Sequence, residues 1–126
     1  MDEPVIGKIK DFLMEFKRIA SEGRGIDIVP RVENRDALAE LGLTYRNCKA
    51  EIMSLSVADY CEGPTKDQDR EGFLWVFGKE IGGKEVYIKL KIVSVGTEEI
   101  AKCISFHPAR RPLHFPYRRK VERRRT

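Results

Sequence analysis

The sequence predicts one α+β domain: N-terminal helices packed on a small, mostly antiparallel sheet of three to five strands, followed by a basic extended tail. Three observations carry this. Residues 73–107 alternate apolar and polar side chains around glycine-bearing turns, the period of strands rather than helices. Residues 4–22 repeat apolar side chains at a three-to-four spacing, the stripe of an amphipathic helix. Prolines 108, 112 and 116 forbid helix or internal strand in an arginine-rich end. With 126 residues the chain suffices for one core and not for two. Residues 1–118 form the predicted domain, and 119–126 a disordered basic tail.

The first helix buries Val5, Ile9, Phe12, Leu13, Phe16, Ile19 and Ala20 and leaves Lys8, Asp11, Glu15 and Arg18 outside. Pro4 suits its first turn and Gly23 its stop. Its stripe covers the apolar side of the sheet, which needs a second layer. Residues 26–32, IDIVPRV, alternate as a short strand that Pro30 confines to an edge or ends. Asn34 caps a helix from Arg35 to Leu41, stopped by Gly42. Thr44 caps another from Tyr45 to Leu55, with Cys48, Ile52 and Leu55 as its apolar positions. Ser56, with Asp59 three residues on, starts a short helical turn through Tyr60. Residues 62–72, EGPTKDQDREG, carry charge, proline and glycine but no apolar anchor. They read as a mobile connector, with a flap over a site as the alternative.

In the meander, Phe73 to Ile81 and Lys84 to Val95 flank Gly82-Gly83, a two-residue hairpin turn. A second turn at residues 96–99 leads into Ile100–Phe106. The glycine pair sets the register: Phe77 faces Ile88, Trp75 faces Leu90 and Phe73 faces Ile92. Val86, Ile104 and Phe106 join them on the core side. The register also sets Glu80 against Glu85, a like-charge pair that costs a little. The opposite face carries Tyr87, Lys89, Lys91, Cys103, Ser105 and His107, and across from them Gly78, Val76 and Leu74. A soluble exterior would account for such a row, but Arg110, Arg111, Arg118 and Arg119 follow closely and add cationic donors.

The net charge of +4 is uneven. Residues 108–126 hold eight Lys or Arg against one acid, and residues 1–107 are net acidic. Such an end attracts phosphate polymers, anionic lipid or an acidic protein, or is simply solvated. In 108–119, arginines interleave with Leu113, Phe115 and Tyr117. Guanidinium forks grip phosphate and rings stack on unpaired bases, which suits RNA; a packing strap over the fold is the other reading. Cys48, Cys61 and Cys103 are odd in number and widely spaced, so they form neither a disulfide framework nor a CxxC pair. With no long apolar run, they point to a reducing cytoplasm and no membrane. His107 and His114 are the only histidines, too few for a recognisable zinc site; no metal and no cofactor are expected.

Several short motifs occur together in order: LGL at 41–43, LSVADY at 55–60, VYIK at 86–89 and ISFH at 104–107. In this, over roughly residues 36–118, the chain resembles the MqsR family of toxins from bacterial type II toxin–antitoxin systems. The resemblance implies a RelE-like fold and an mRNA endonuclease, free or ribosome-linked, that arrests translation until a cognate antitoxin binds it. It also implies a site role for Tyr87, the tyrosine of the VYIK strand, with Lys89 beside it. Three positions depart from the family pattern. His107 stands where the better-known form has a lysine after the SF pair, which keeps a protonatable donor. Glu62 lies near a family lysine, and Val76 replaces a glutamine; Lys79 is a nearby substitute cation. The departures bear on mechanism, cleavage specificity and activity.

Metal-free RNA cleavage needs a base for the 2′-hydroxyl, cations for the charge at phosphorus and an acid for the leaving oxygen. Imidazole moves protons near neutral pH. His107 is therefore the candidate acid or base, with an ordinary strand-end histidine as the alternative. Lys89 is a catalytic candidate as charge stabiliser, beside Arg110 and Arg111, and Tyr87 one that orients phosphate, donates a proton or stacks. Lys79, Lys91, Arg110, Arg111, Tyr117, Arg118 and Arg119 complete the candidate RNA-binding set. The products would be a 2′,3′-cyclic phosphate and a 5′-hydroxyl. Two other classes remain open: a non-catalytic RNA- or DNA-binding module, and an inert domain whose basic end docks an acidic partner. Salt dependence separates them, because phosphate contacts release counterions.

Overall fold

A computed structural model describes residues 2–118. The predicted disordered tail 119–126, and Arg119 with it, lie outside the described residues. Helix α1 (Asp2–Glu22) is followed by strand β1 (Ile26–Ile28), helices α2 (Val32–Leu41) and α3 (Tyr45–Met53), and a 3₁₀ turn (Val57–Asp59). Strands β2 (Tyr60–Lys66), β3 (Phe73–Ile81), β4 (Lys84–Val95) and β5 (Glu98–Pro108) complete the fold. They form one five-stranded sheet in the order β1-β5-β4-β3-β2, antiparallel except where β1 runs parallel to β5. This is the predicted α+β class.

The apolar stripe of α1 seals one face of the sheet. Ile9 and Phe16 are fully buried, and the Phe12 ring stacks on Trp75 at 4.6 Å between centroids. Each such side chain contributes about 1.5–3 kcal/mol by leaving water, so the stripe is the main clamp between layers. Thr44 caps α3 as expected: its hydroxyl accepts from Asn47 N, and Asn47 Oδ1 accepts from Thr44 N. Gly42 ends α2 with φ 68°, a left-handed value that glycine takes without strain.

Gly82 and Gly83 turn the β3–β4 hairpin with both φ positive, the twist that tight hairpins favour. The expected pairs Trp75–Leu90, Phe77–Ile88 and Glu80–Glu85 are present. Phe73 departs from expectation. The β3–β4 ladder ends at Trp75–Leu90, so Phe73 does not face Ile92; it pairs with Lys66 of β2 and is 56% exposed.

Four further expectations fail for identifiable reasons. Residues 62–66 are not loop: β2 runs to Lys66 as an irregular edge strand. An edge tolerates Pro64 because it needs no second row of hydrogen bonds. A Cβ at Gly63 would lie 2.6 Å from Leu74 O, so the strand reaches its neighbour only with glycine there. Cys103 was expected on the polar face and is instead fully buried. A β-bulge at Ile104 separates the pairs Lys89–Ser105 and Leu90–Cys103, so every side chain of β5 before it changes face. Ile104, expected in the core, is only half-buried as a result.

Asn34 does not cap a helix. Helix α2 starts two residues earlier, at Val32, and Asn34 is a buried side chain within it. Its amide donates to Val29 O at 2.8 Å and to Ile104 O at 3.1 Å, and its Oδ1 accepts from Phe106 N at 3.0 Å. Strand β1 ends opposite Cys103. Asn34 thus takes over where β1 stops, satisfying the backbone of β5 beyond the bulge and fixing Ser105, Phe106 and His107.

Candidate functional site

The polar face of the sheet is not flat. The chain after β5 folds back across it as a strap, held by Ala109 N to Glu85 O at 2.8 Å and Leu113 N to Glu85 Oε1 at 3.0 Å. Leu113 and Phe115 then pack over Gly78, where a Cβ would come within 2.9 Å of Phe115 Cζ. Tyr117 reaches Tyr60 at 5.7 Å between ring centroids, and Arg118 lies 3.7 Å over the Phe115 ring and 3.6 Å from Asp59. Glu85 sits opposite Glu80 on the hairpin, and its carboxylate has a use there: it anchors the strap.

Strap and sheet enclose an open cleft of about 560 Å³. Its floor is Tyr87 and Lys89 of β4 with Ser105 and His107 of β5. Tyr87 and His107 face one another across neighbouring strands, and their rings stack at 5.4 Å with planes 17° apart. Lys89 Nζ stands 5.6 Å from the centroid of the Tyr87 ring. The strap supplies Arg110 and Arg111 to one wall, the start of α2 supplies Arg31 and Glu33 to another, and Glu62 reaches in from β2. Arg31 Nη1 approaches Ser105 Oγ at 3.3 Å and Ile104 O at 3.4 Å. Cations thus outnumber carboxylates around an aromatic floor, a setting suited to an anion with a flat ring attached.

The His107 ring is oriented by its surroundings. Nδ1 lies 3.0 Å from Pro108 O; a carbonyl only accepts, so Nδ1 carries the hydrogen and Nε2 is the atom left for chemistry. Nε2 lies 3.6 Å from Glu33 Oε2, and the same carboxylate oxygen accepts from Arg110 Nη2.

Of the candidate residues, the structure gathers Tyr87, Lys89, His107, Arg110 and Arg111 in the cleft. It does not bring Lys79 there. Lys79 shares the side of β3 that faces the helices, and its Nζ pairs with Glu51 of α3 at 2.8 Å. Lys91 lies on the same face as Lys89 but is 3% exposed, with Nζ 2.6 Å from Asp67 Oδ2. The 67–72 turn covers it, closed by Asp67 N to Gly72 O at 3.0 Å. That contact holds the Asp67 carboxyl down at about 2, first through the hydrogen bond from Lys91 and then through its bonds from Asp69 N. Tyr117 and Arg118 serve the far end of the strap. The sequence carries no signal for Arg31 and Glu33, because α2 is distant along the chain and no local pattern ties it to the end of β5.

Burial pushes the Cys48 and Cys61 thiols up to about 12 and Cys103 well above its ordinary value, so none is a ready nucleophile. Among the described residues no group of three or more His, Cys, Asp or Glu is placed to hold a metal ion, and no helix is long and apolar enough to cross a membrane.

A family model described as "Motility quorum-sensing regulator, toxin of MqsA" matches residues 11–108. No curated protein and no solved structure gave a significant match. The matched stretch runs from within α1 to the end of β5 and includes the whole cleft floor. Since it spans most of the 126 residues, the chain belongs to the MqsR toxin family.

Proposed function

We propose that this toxin is a metal-independent endoribonuclease, an mRNA interferase that cleaves single-stranded RNA to 2′,3′-cyclic phosphate and 5′-hydroxyl ends and so arrests translation. The observation that carries the reading is the stacked Tyr87–His107 pair beside Lys89 in a cleft rimmed by arginines. In the reaction the 2′-oxygen attacks phosphorus, a P–O2′ bond forms and the P–O5′ bond breaks. One proton leaves the 2′-hydroxyl and one reaches the departing 5′-oxygen. His107 Nε2 performs one of these transfers, worth about 10²- to 10⁴-fold in rate. Lys89 and the strap arginines offset the charge that gathers on the non-bridging oxygens. Tyr87 holds the phosphate through its hydroxyl or a base against its ring.

The family description names its toxin as that of MqsA. By that likeness the partner that restrains this chain is a cognate antitoxin protein. The substrate is messenger RNA in the cytoplasm, free or on the ribosome.

The test is a gel of purified protein with mixed-sequence single-stranded RNA in EDTA, wild type beside His107→Ala and Tyr87→Phe. Cleavage that persists in EDTA, leaves cyclic phosphate ends and collapses in His107→Ala is the expected result; Tyr87→Phe loses activity if the hydroxyl holds phosphate and keeps it if the ring stacks on a base. RNA left intact, alone and on ribosomes, with salt-sensitive binding retained, replaces this reading with a non-catalytic RNA-binding module. One observation favours that second reading: two family site positions carry other chemistry, the buried Val76 and the exposed Glu62.

A further inference from the structure

One carboxylate in the cationic cleft has no role in the chemistry above. Glu33 Oε2 faces His107 Nε2 at 3.6 Å and accepts from Arg110 Nη2. Those are two of the groups a phosphate entering the cleft would use, Nε2 donating when the imidazole is protonated. His107 has no second nitrogen to offer, because Nδ1 is committed to Pro108 O.

Two other roles for Glu33 fit poorly. It is badly placed as the base opposite His107. In-line displacement puts the attacking and leaving oxygens on opposite sides of phosphorus, so the acid and base must stand apart with the phosphate between them. A carboxylate 3.6 Å from Nε2 and paired with Arg110 leaves no such space while it holds that position. Nor does the fold lean on it: its side chain is 51% exposed, and the neighbouring Asn34 already fixes α2 to β5. What remains is the likeness between a carboxylate and a phosphate, two anions that present paired oxygens to a guanidinium and an imidazole.

We propose that Glu33 is an internal stand-in for the substrate phosphate: in the free chain its carboxylate occupies the anion seat formed by His107 Nε2 and Arg110, and RNA enters by displacing it. The identity of the displacing anion rests on the nuclease reading; the seat itself does not. Rotation of the Glu33 side chain is enough to vacate the seat, since Asn34 keeps the helix backbone in place. The tethered carboxylate competes at high effective concentration, so a single phosphate displaces it poorly. A polyanion that also engages Lys89 and Arg111 displaces it well. The stand-in therefore favours RNA over small phosphates.

The experiment compares wild type with Glu33→Gln in two titrations. Inorganic phosphate is followed by the His107 ring resonances, and a 2′-O-methyl RNA oligonucleotide, which cannot be cleaved, by anisotropy across a salt series. Glu33→Gln should bind both about two- to fivefold tighter, the scale of an exposed ion pair. Its salt slope for the oligonucleotide should steepen by about 0.7, one more counterion released from a single strand. The gain in phosphate binding should vanish in an Arg110→Ala background. Phosphate binding that is equal or weaker in Glu33→Gln overturns the proposal, as does a gain that survives loss of Arg110. A melting midpoint lowered by several degrees would make Glu33 a structural prop and overturn it too. A tighter phosphate seat in a protein that leaves RNA intact keeps the stand-in and removes the nuclease reading.

Discussion

Replacing Asn34 by alanine should both destabilise the domain and disorder the cleft. Asn34 is 1% exposed and serves three backbone groups: Val29 O, Ile104 O and Phe106 N. Phe106 N is buried, and its loss of a partner costs about 2 kcal/mol. The two carbonyls are only partly buried and keep a second lone pair, so together they add about 1 kcal/mol. The sum of about 3 kcal/mol is a large share of the 5–15 kcal/mol typical of a domain. At roughly 4 °C per kcal/mol for a chain of this size, it lowers the melting midpoint by about 12 °C. Asn34→Asp sharpens the test. Aspartate keeps the acceptor for Phe106 N but loses both donors and sets a charge against two carbonyl oxygens, so it should be no more stable than alanine. Urea unfolding of the three proteins measures this. A loss below about 1 kcal/mol in Asn34→Ala, or an aspartate variant more stable than the alanine one, would refute the role assigned to this side chain. At a temperature where all are folded, RNA cleavage should fall as well, because Phe106 lies between Ser105 and His107.

Other expectations follow from the strap, the 67–72 turn and the thiols. Gly78→Ala sets a methyl against the tips of Leu113 and Phe115; it should cost about 1 kcal/mol by overpacking and speed tryptic cutting after Arg110. Unchanged cutting would mean that the strap does not rest on Gly78. The Asp67 carboxyl, held at about 2, lies below its unfolded value of about 3.9. Its contact with Lys91 therefore stabilises the fold at neutral pH, and that stability is lost as pH falls from about 4 towards 2. The urea midpoint of wild type should drop more steeply over that window than that of Asp67→Asn. Equal slopes would contradict the pairing. Cys48 and Cys103 are fully buried and their thiols raised, so iodoacetamide at pH 8 should label them only after unfolding, which mass spectrometry of the folded and urea-treated protein checks.

Much of the sheet was legible because its signals are local. A glycine pair sets one hairpin, period-two alternation sets the faces, and counting back from the turn gives Trp75–Leu90 and Phe77–Ile88. The stripe of α1 and the Thr44 cap are local for the same reason. What failed depends on distant contacts. The bulge at Ile104, which sends Cys103 into the core, occurs beyond the end of β1, where Asn34 docks on β5 from α2. Strand β2 carries no apolar alternation because beyond Tyr60 none of its residues is fully buried. In the site, Tyr87, Lys89 and His107 follow from strand parity. Parity alone would also have set Lys79 with Phe77 and away from the cleft. Lys91 has the right parity, but only tertiary structure reveals the turn that covers it. Glu33 and Arg31 needed the packing of α2 on β5, which no motif announces.

The central claim is that the cleft is a nuclease site in which His107 moves a proton. The most direct measurement is the single-turnover rate of cleavage of a single-stranded RNA in EDTA, for wild type and His107→Ala, with binding of an uncleavable RNA measured in parallel. The account predicts a rate about 10²- to 10⁴-fold lower in the variant, with binding changed by no more than a few fold. A variant that cleaves as fast as wild type, or that loses rate only in proportion to lost binding, would contradict it.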